Sequence, residues 1–161
     1  MDQREVVFTY KAFQPEEFSD VDRDLIQSAI DACQLAYAPY SNFKVGAAIR
    51  TSDNLIIIGS NQENSAYPIG QCAERVALYA LAHQHGRKVI DTVAVAVDNE
   101  HQHTPASPCG SCRQLLSEYR SYQTQPIRLL LTVAGGGVVY EISDVNDLLP
   151  LAFDGKFLGV E

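Results

Sequence analysis

The stretch TVAVAVDNEHQHTPASPCGSC, Thr92 to Cys112, joins an apolar run, a polar loop and two thiols three positions apart. TVAVAV (92–97) is short, rich in β-branched residues and free of charge, which reads as a strand buried on both faces. The loop closes at Ser107-Pro108, a favourable helix start, because proline's missing N–H costs nothing in a first turn. The helix it opens is expected to reach about Arg120. Beyond it, Ile127–Val133 reads as a second buried strand. Val138–Ile142, after the glycines 135–137, is its plausible partner. A short helix near Asp144–Leu149 precedes the tail.

Working back from Thr92, a helix is expected from Cys72 to about His85, closed by Gly86 and preceded by a loop carrying Pro68 and Gly70. Phe43–Arg50 and Leu55–Gly59 are apolar runs separated by Thr-Ser-Asp-Asn, the pattern of a hairpin. Ser19 as N-cap with Asp20 and Asp22 behind it marks a helix start. Ile26, Ile30, Cys33 and Tyr37 continue at helical spacing, so this helix is expected over Val21–Tyr37, ended by Pro39 and Ser41. Glu5–Lys11 is read as a strand followed by an acidic connector. Helices and strands in this order give a sheet covered by helices, an α/β layered domain. With no repeat, low-complexity tract or linker, residues 1–161 are expected to form one domain.

At 161 residues, 46% apolar and 20% charged, the chain has the composition of an ordinary globular protein. Its net charge of −8, with twelve scattered Lys and Arg, argues against a nucleic-acid partner, whose phosphates are neutralised by clustered cations. The N-terminus, MDQREVVFTYKAF, lacks the positive n-region and apolar run of a signal peptide. No apolar stretch approaches the roughly 18 residues of a membrane span. The expectation is a cytoplasmic protein with no membrane partner, where thiols stay reduced and a C-x-x-C is more often a metal site or redox pair than a disulfide.

Three of the four cysteines can meet. Cys109 and Cys112, at i and i+3 in the first turn of their helix, can point at one centre. Cys72, at the start of the preceding helix, supplies a third sulfur if the two N-termini converge, and the partial positive charge of those N-termini favours thiolates. Three thiolates would leave a zinc site at net −1, which the helix N-termini and Arg75 are expected to compensate. Cys33 sits on the apolar side of its helix and reads as a small core residue. His83 and His85 lie at the far end of the Cys72 helix, ~15 Å or more from the thiol at ~1.5 Å per residue. His101 and His103 read as solvated loop residues. A fourth position left to water points to catalysis. Glu74, one turn from Cys72, can then move a proton at that water, whose pKa a zinc ion lowers towards about 7. Alternative readings are a structural zinc or redox pair for the cysteines and simple first-turn stabilisation for Glu74.

The string C-A-E (72–74) followed by P-C-G-S-C (108–112) resembles the signature of the zinc nucleobase deaminases. AYAPYSNFKVGAAI (36–49), NQENSAYPIGQCAER (61–75), SPCGSCRQ (107–114) and LLPLAF (148–153) together resemble the homotetrameric cytidine deaminases of nucleoside salvage, in the order found in that family. The resemblance implies a three-layer α/β/α fold with a central mixed sheet, a core over residues 21–153 and an N-terminal extension over 1–20. It implies one Zn²⁺ per subunit held by Cys72, Cys109 and Cys112, with Glu74 as acid and base. Asn61 and Glu63 would hold the ribose hydroxyls and Phe43 would stack on the pyrimidine. Ala73 and Cys109 would offer backbone groups to the base. Tyr67 and Phe153 would lie near a subunit boundary, with Phe153 closing a neighbour's pocket. From the residues alone, Asn61 and Glu63 equally suit a polar turn, and Phe43 a core aromatic. Val76 and the pair Ser65-Ala66 depart from the usual family pattern without touching the inferred chemistry.

The activity so implied is hydrolysis of cytidine and 2′-deoxycytidine to uridine and 2′-deoxyuridine with release of ammonia, in pyrimidine salvage. A related small-molecule deaminase, such as one acting on blasticidin S, would keep the zinc and Glu74 but has no need of Asn61 and Glu63. A non-catalytic zinc-stabilised binding module would not need Glu74.

Overall fold

The computed structural model describes residues 1–159. Its centre is a six-stranded mixed sheet built from β1 (Lys11–Phe13), β2 (Lys44–Thr51), β3 (Ile56–Ser60), β4 (Ile90–Asp98), β5 (Arg128–Val133) and β6 (Val139–Ile142), in the order β1-β6-β5-β4-β2-β3. Only β4 and β5 run parallel; every other pairing is antiparallel. That parallel pair follows from the crossover between them, α3 (Gly110–Ser121), since two parallel strands cannot be joined by a tight turn.

Two-residue periodicity divides the strands between two cores. Ala47, Ile49, Val93, Val95, Leu129 and Leu131 face one side, with Leu78 and Leu81 of α2 (Ala73–His85) and Leu116 of α3. Ala48, Ala94, Ala96 and Leu130 face the other, with Leu25, Ile26 and Ala29 of α1 (Asp20–Ala32). The result is an α/β/α sandwich, with both faces of β4 covered, as its uninterrupted apolar run requires. Small residues set the approach of the helices. A Cβ on Gly46 would lie 2.0 Å from the Ala29 carbonyl oxygen, and one on Gly59 would lie 2.4 Å from the Ala77 nitrogen. Gly59 thereby lets the first turns of α2 rest directly on β3. Among the described residues, no helix is long and apolar enough to cross a membrane.

Several boundaries differ from the sequence expectation. The first strand is Lys11–Phe13, not Glu5–Lys11, with Lys11, Ala12 and Phe13 opposite Glu141, Tyr140 and Val139 of the four-residue β6. Residues 1–10 carry no regular secondary structure, although Tyr10 packs on Tyr140 at 4.9 Å between rings. Helix α1 stops at Ala32 and tightens into a 3-10 turn, Cys33–Leu35, instead of reaching Tyr37. The Tyr37 backbone is taken by residues 61–63: its N–H donates to the Asn61 carbonyl at 3.0 Å and its carbonyl accepts from Glu63 N–H at 2.8 Å. The segment near Asp144–Leu149 is a 3-10 turn, Val145–Leu148, capped by Asp144.

Candidate active site

The N-termini of α2 and α3 point to one place beside the carboxyl end of β4, where Val95 and Val97 form the floor of a cavity of about 470 Å³. This is the usual location for ligands in sheets of this type, because the strand ends and helix starts leave a crevice there. Helix α2 begins one residue later than the sequence suggests, and α3 two residues after Pro108. Cys72 and Cys109 are the N-cap residues of α2 and α3, both with extended backbone, and Cys112 lies in the first turn of α3. Ser107 and Pro108 belong to the approach, not the helix. Arg113 holds them there, donating from Nε to the Pro108 carbonyl at 2.8 Å and from Nη2 to Ser107 Oγ at 3.0 Å.

The sulfurs of Cys72, Cys109 and Cys112 all lie within 4.8 Å of one another. Cys72 and Cys109 Sγ are 3.8 Å apart. Tetrahedral thiolates at the usual Zn–S length of about 2.3 Å stand ~3.8 Å from each other, so the spacing suits a zinc ion. Cys112 is fully buried, Cys72 partly so, and Cys109 faces the opening. Hydrogen bonding from the Cys112 thiol, opposed by burial and assisted by Arg75, brings Cys72 down to about 5. Cys112 moves the opposite way, because it gives that hydrogen bond and is itself buried. Arg75 Nη2 lies 3.7 Å from Cys72 Sγ and donates to the Gly70 carbonyl at 3.1 Å. Its guanidinium thus stands over the sulfur cluster.

Glu74 is buried at 4% exposure yet lines the cavity next to the sulfurs. Burial, reinforced by the negative charge on Cys72, raises its pKa. A carboxyl shifted this way can carry a proton nearer neutral pH than an ordinary glutamate.

Phe43, Asn61, Glu63 and Tyr67 line the same cavity, brought in from the opposite wall. Asn61 uses both ends of its amide on the strand beside it: Oδ1 accepts from Val45 N–H and Nδ2 donates to the Phe43 carbonyl, each at 2.8 Å. Glu63 accepts from Tyr40 N–H at 2.9 Å and from the hydroxyl and N–H of Ser41. Its pKa is lowered, chiefly by the Ser41 hydroxyl and then by the Tyr40 amide. Ala73 is fully buried at the head of α2. Phe153 does not reach the cavity of its own chain. It is 57% exposed, its ring stacks on Phe157 at 5.5 Å, and its carbonyl accepts from Gln114 Nε2 at 2.8 Å. Cys33 is a core residue, its thiol donating towards the carbonyls of Ala29 and Ala96 at 3.6 and 3.4 Å. His101 is exposed beside Glu100. The sequence reading passed over Ser41 and Arg113. Both act on partners that their local sequence does not announce.

A family model described as the cytidine and deoxycytidylate deaminase zinc-binding region matches residues 19–125. A cytidine deaminase of Halalkalibacterium halodurans is 41% identical over 132 residues, 82% of this chain and 93% of that protein. One from Sporosarcina psychrophila is 41% identical over 139 residues, 86% of this chain and 95% of its own length. Among solved structures, the cytidine deaminase of Burkholderia pseudomallei superposes with a TM-score of 0.71 at 40% identity, covering 81% of this chain and 97% of that one.

Proposed function

This chain belongs to the cytidine and deoxycytidylate deaminase family, and from that premise we propose that it hydrolyses cytidine and 2′-deoxycytidine to their uridine counterparts and ammonia. The observation that carries the reading is the cluster of three sulfurs at two helix N-termini with a buried carboxyl beside it, opening on a cavity of nucleoside size. Cys72, Cys109 and Cys112 would hold one Zn²⁺ per chain. When bound, zinc polarises water and lowers its pKa towards about 7.

The chain's own residues do the rest. Glu74, its pKa raised by burial, takes a proton from the attacking water and delivers it to N3 of the base, then takes the remaining proton from the hydroxyl added at C4 and gives it to the departing amine. C4 of the base gains a C–O bond and loses its C–N bond; ammonia carries away the nitrogen. Arg75 offsets the surplus negative charge of the thiolates. Phe43 stacks on the pyrimidine, while the backbones of Ala73 and Cys109 contact its edge. Asn61 and Glu63 receive the ribose.

The chemistry of the cavity favours a free nucleoside over a nucleotide. Arg75 is the one cation among its described lining residues, and it is engaged with Cys72 and Gly70, while Glu63 and Glu74 are acidic. A phosphate would meet repulsion without compensation. The same reading takes the chain as a single domain, with residues 1–20 an extension and 21–153 the core. It acts in the cytoplasm as a homotetramer, where Tyr67 lies near a boundary and the exposed Phe153 closes a neighbour's cavity.

The direct test follows the fall in absorbance as cytidine is converted, with ammonia measured in parallel. Turnover of cytidine, much faster than that of cytidine monophosphate, is expected. An absence of ammonia release from zinc-loaded protein would sink the reading.

A further inference from the structure

We propose that Ser41 is a positioning residue for substrate, coupling the group that receives the sugar to the group that receives the base. The proposal rests on the nucleoside reading above. Ser41 Oγ donates to Glu63 Oε1 and accepts from Phe43 N–H at 3.0 Å. A single hydroxyl therefore joins the carboxylate of Glu63 to the backbone of Phe43, two groups on the same wall of the cavity. Asn61 holds the other end of the same residue through the Phe43 carbonyl. With its N–H and C=O both fixed, Phe43 has little freedom to shift along the cavity.

The tie acts on an exposed turn. Asn42, between Ser41 and Phe43, adopts φ 54°, a left-handed conformation that asparagine accepts more readily than other non-glycine residues. Its N–H donates to the Ala38 carbonyl at 3.0 Å and its carbonyl accepts from Asn99 Nδ2 at 3.2 Å, so the turn keeps its shape while Ser41 Oγ sets where Phe43 leaves it. Removing the hydroxyl releases Phe43 N–H and one oxygen of Glu63 together. Both belong to binding rather than to proton transfer, so substrate affinity should change and the chemical step should not.

The test compares wild type, Ser41→Ala and Ser41→Thr in cytidine turnover, with bound zinc and thermal unfolding measured on each. For Ser41→Ala, KM is expected to rise about tenfold with kcat within about twofold, the signature of lost uniform binding. Zinc content and unfolding temperature should stay at wild-type values. Ser41→Thr, which keeps the hydroxyl, should return KM to within about threefold of wild type, as one restored charge-assisted hydrogen bond allows. In a Glu63→Gln background, Ser41→Ala should raise KM by clearly less than in wild type, since the two share one interaction. If Ser41→Ala folds poorly, Ser41→Cys, a weaker donor of similar size, is held to the same KM expectation. A KM in the alanine variant within about twofold of wild type overturns the proposal, as does a fall in kcat matching the rise in KM. So does failure of threonine to rescue. A wild-type protein inert towards cytidine overturns the nucleoside reading and this proposal with it; an active wild type with an indifferent Ser41 overturns this proposal alone.

Discussion

Charged and ionisable groups gather at two places in this molecule, each with a buried centre, and the two are handled in opposite ways. Across the strands near the start of α1, Arg50 Nη2 meets Asp22 at 3.1 Å and Asp91 at 2.6 Å, Arg128 pairs with Asp22, and Glu141 lies 3.6 Å from Lys11 and 3.8 Å from Arg128. Three cations face three carboxylates, and the Thr92 hydroxyl accepts from Arg50 at 3.1 Å. At the other place, Cys72, Cys109, Cys112 and Glu74 gather around a single guanidinium. Buried charge is costly unless paired. The first group finds its counter-charges within the chain and fastens α1 and β1 to the sheet. The second is complete only with a cation from outside.

The sharpest way to break this contrast is to take the metal away. Chelation is expected to abolish deamination, with activity restored by added zinc, whereas Cys112→Ser should lose both zinc and activity beyond rescue; metal analysis alongside the assay separates the two. Next in size, Glu74→Ala should lower kcat by about three orders of magnitude, within the range for an acid–base group, with one zinc still bound. Persistence of more than about a tenth of wild-type activity would remove Glu74 from the chemistry.

On the paired side the effects are on stability. Arg50→Ala leaves buried Asp22 with Arg128 as its remaining cation and half-exposed Asp91 to solvent, and should cost about 2–3 kcal/mol, read by urea unfolding, while kcat of the folded fraction is unchanged. A loss below about 1 kcal/mol would mean that the pair behaves as a surface contact. The smallest effect concerns acid. Burial raises the pKa of Asp22, but hydrogen bonds and charge from Arg128 and Arg50 outweigh it, leaving the value below the ordinary 3.8. A depressed folded pKa contributes stability that is fully present above 3.8 and is lost as pH falls through the lower folded value. Asp22→Asn should flatten stability against pH in that window. An unchanged acid limb would place the sensitivity elsewhere.

The sequence made some of this visible and hid the rest for physical reasons. β4 and β5 were legible because strands buried on both faces need unbroken apolar runs, and TVAVAV is one. The sulfur cluster was legible because i and i+3 residues at a helix start must share a side. The N-cap placement of Cys109 was not, since Ser107-Pro108 is also a good helix start and only Arg113, folded back onto both residues, decides against it. The end of α1 was overrun because Tyr37 keeps helical spacing while its backbone pairs with a segment more than twenty residues ahead. Ser41 was unreadable for the same reason: Glu63 is 22 positions away and no periodicity links them.

One consequence of the N-cap thiols reaches past catalysis. Neither Cys72 nor Cys109 closes its helix with a side-chain hydrogen bond of its own, so a metal ion on the sulfurs would act as a shared clamp for both helix starts. A cell short of zinc would then carry a protein with two loosened segments next to each other, open to proteolytic enzymes. Metal supply would govern how long the protein lasts as well as how fast it works.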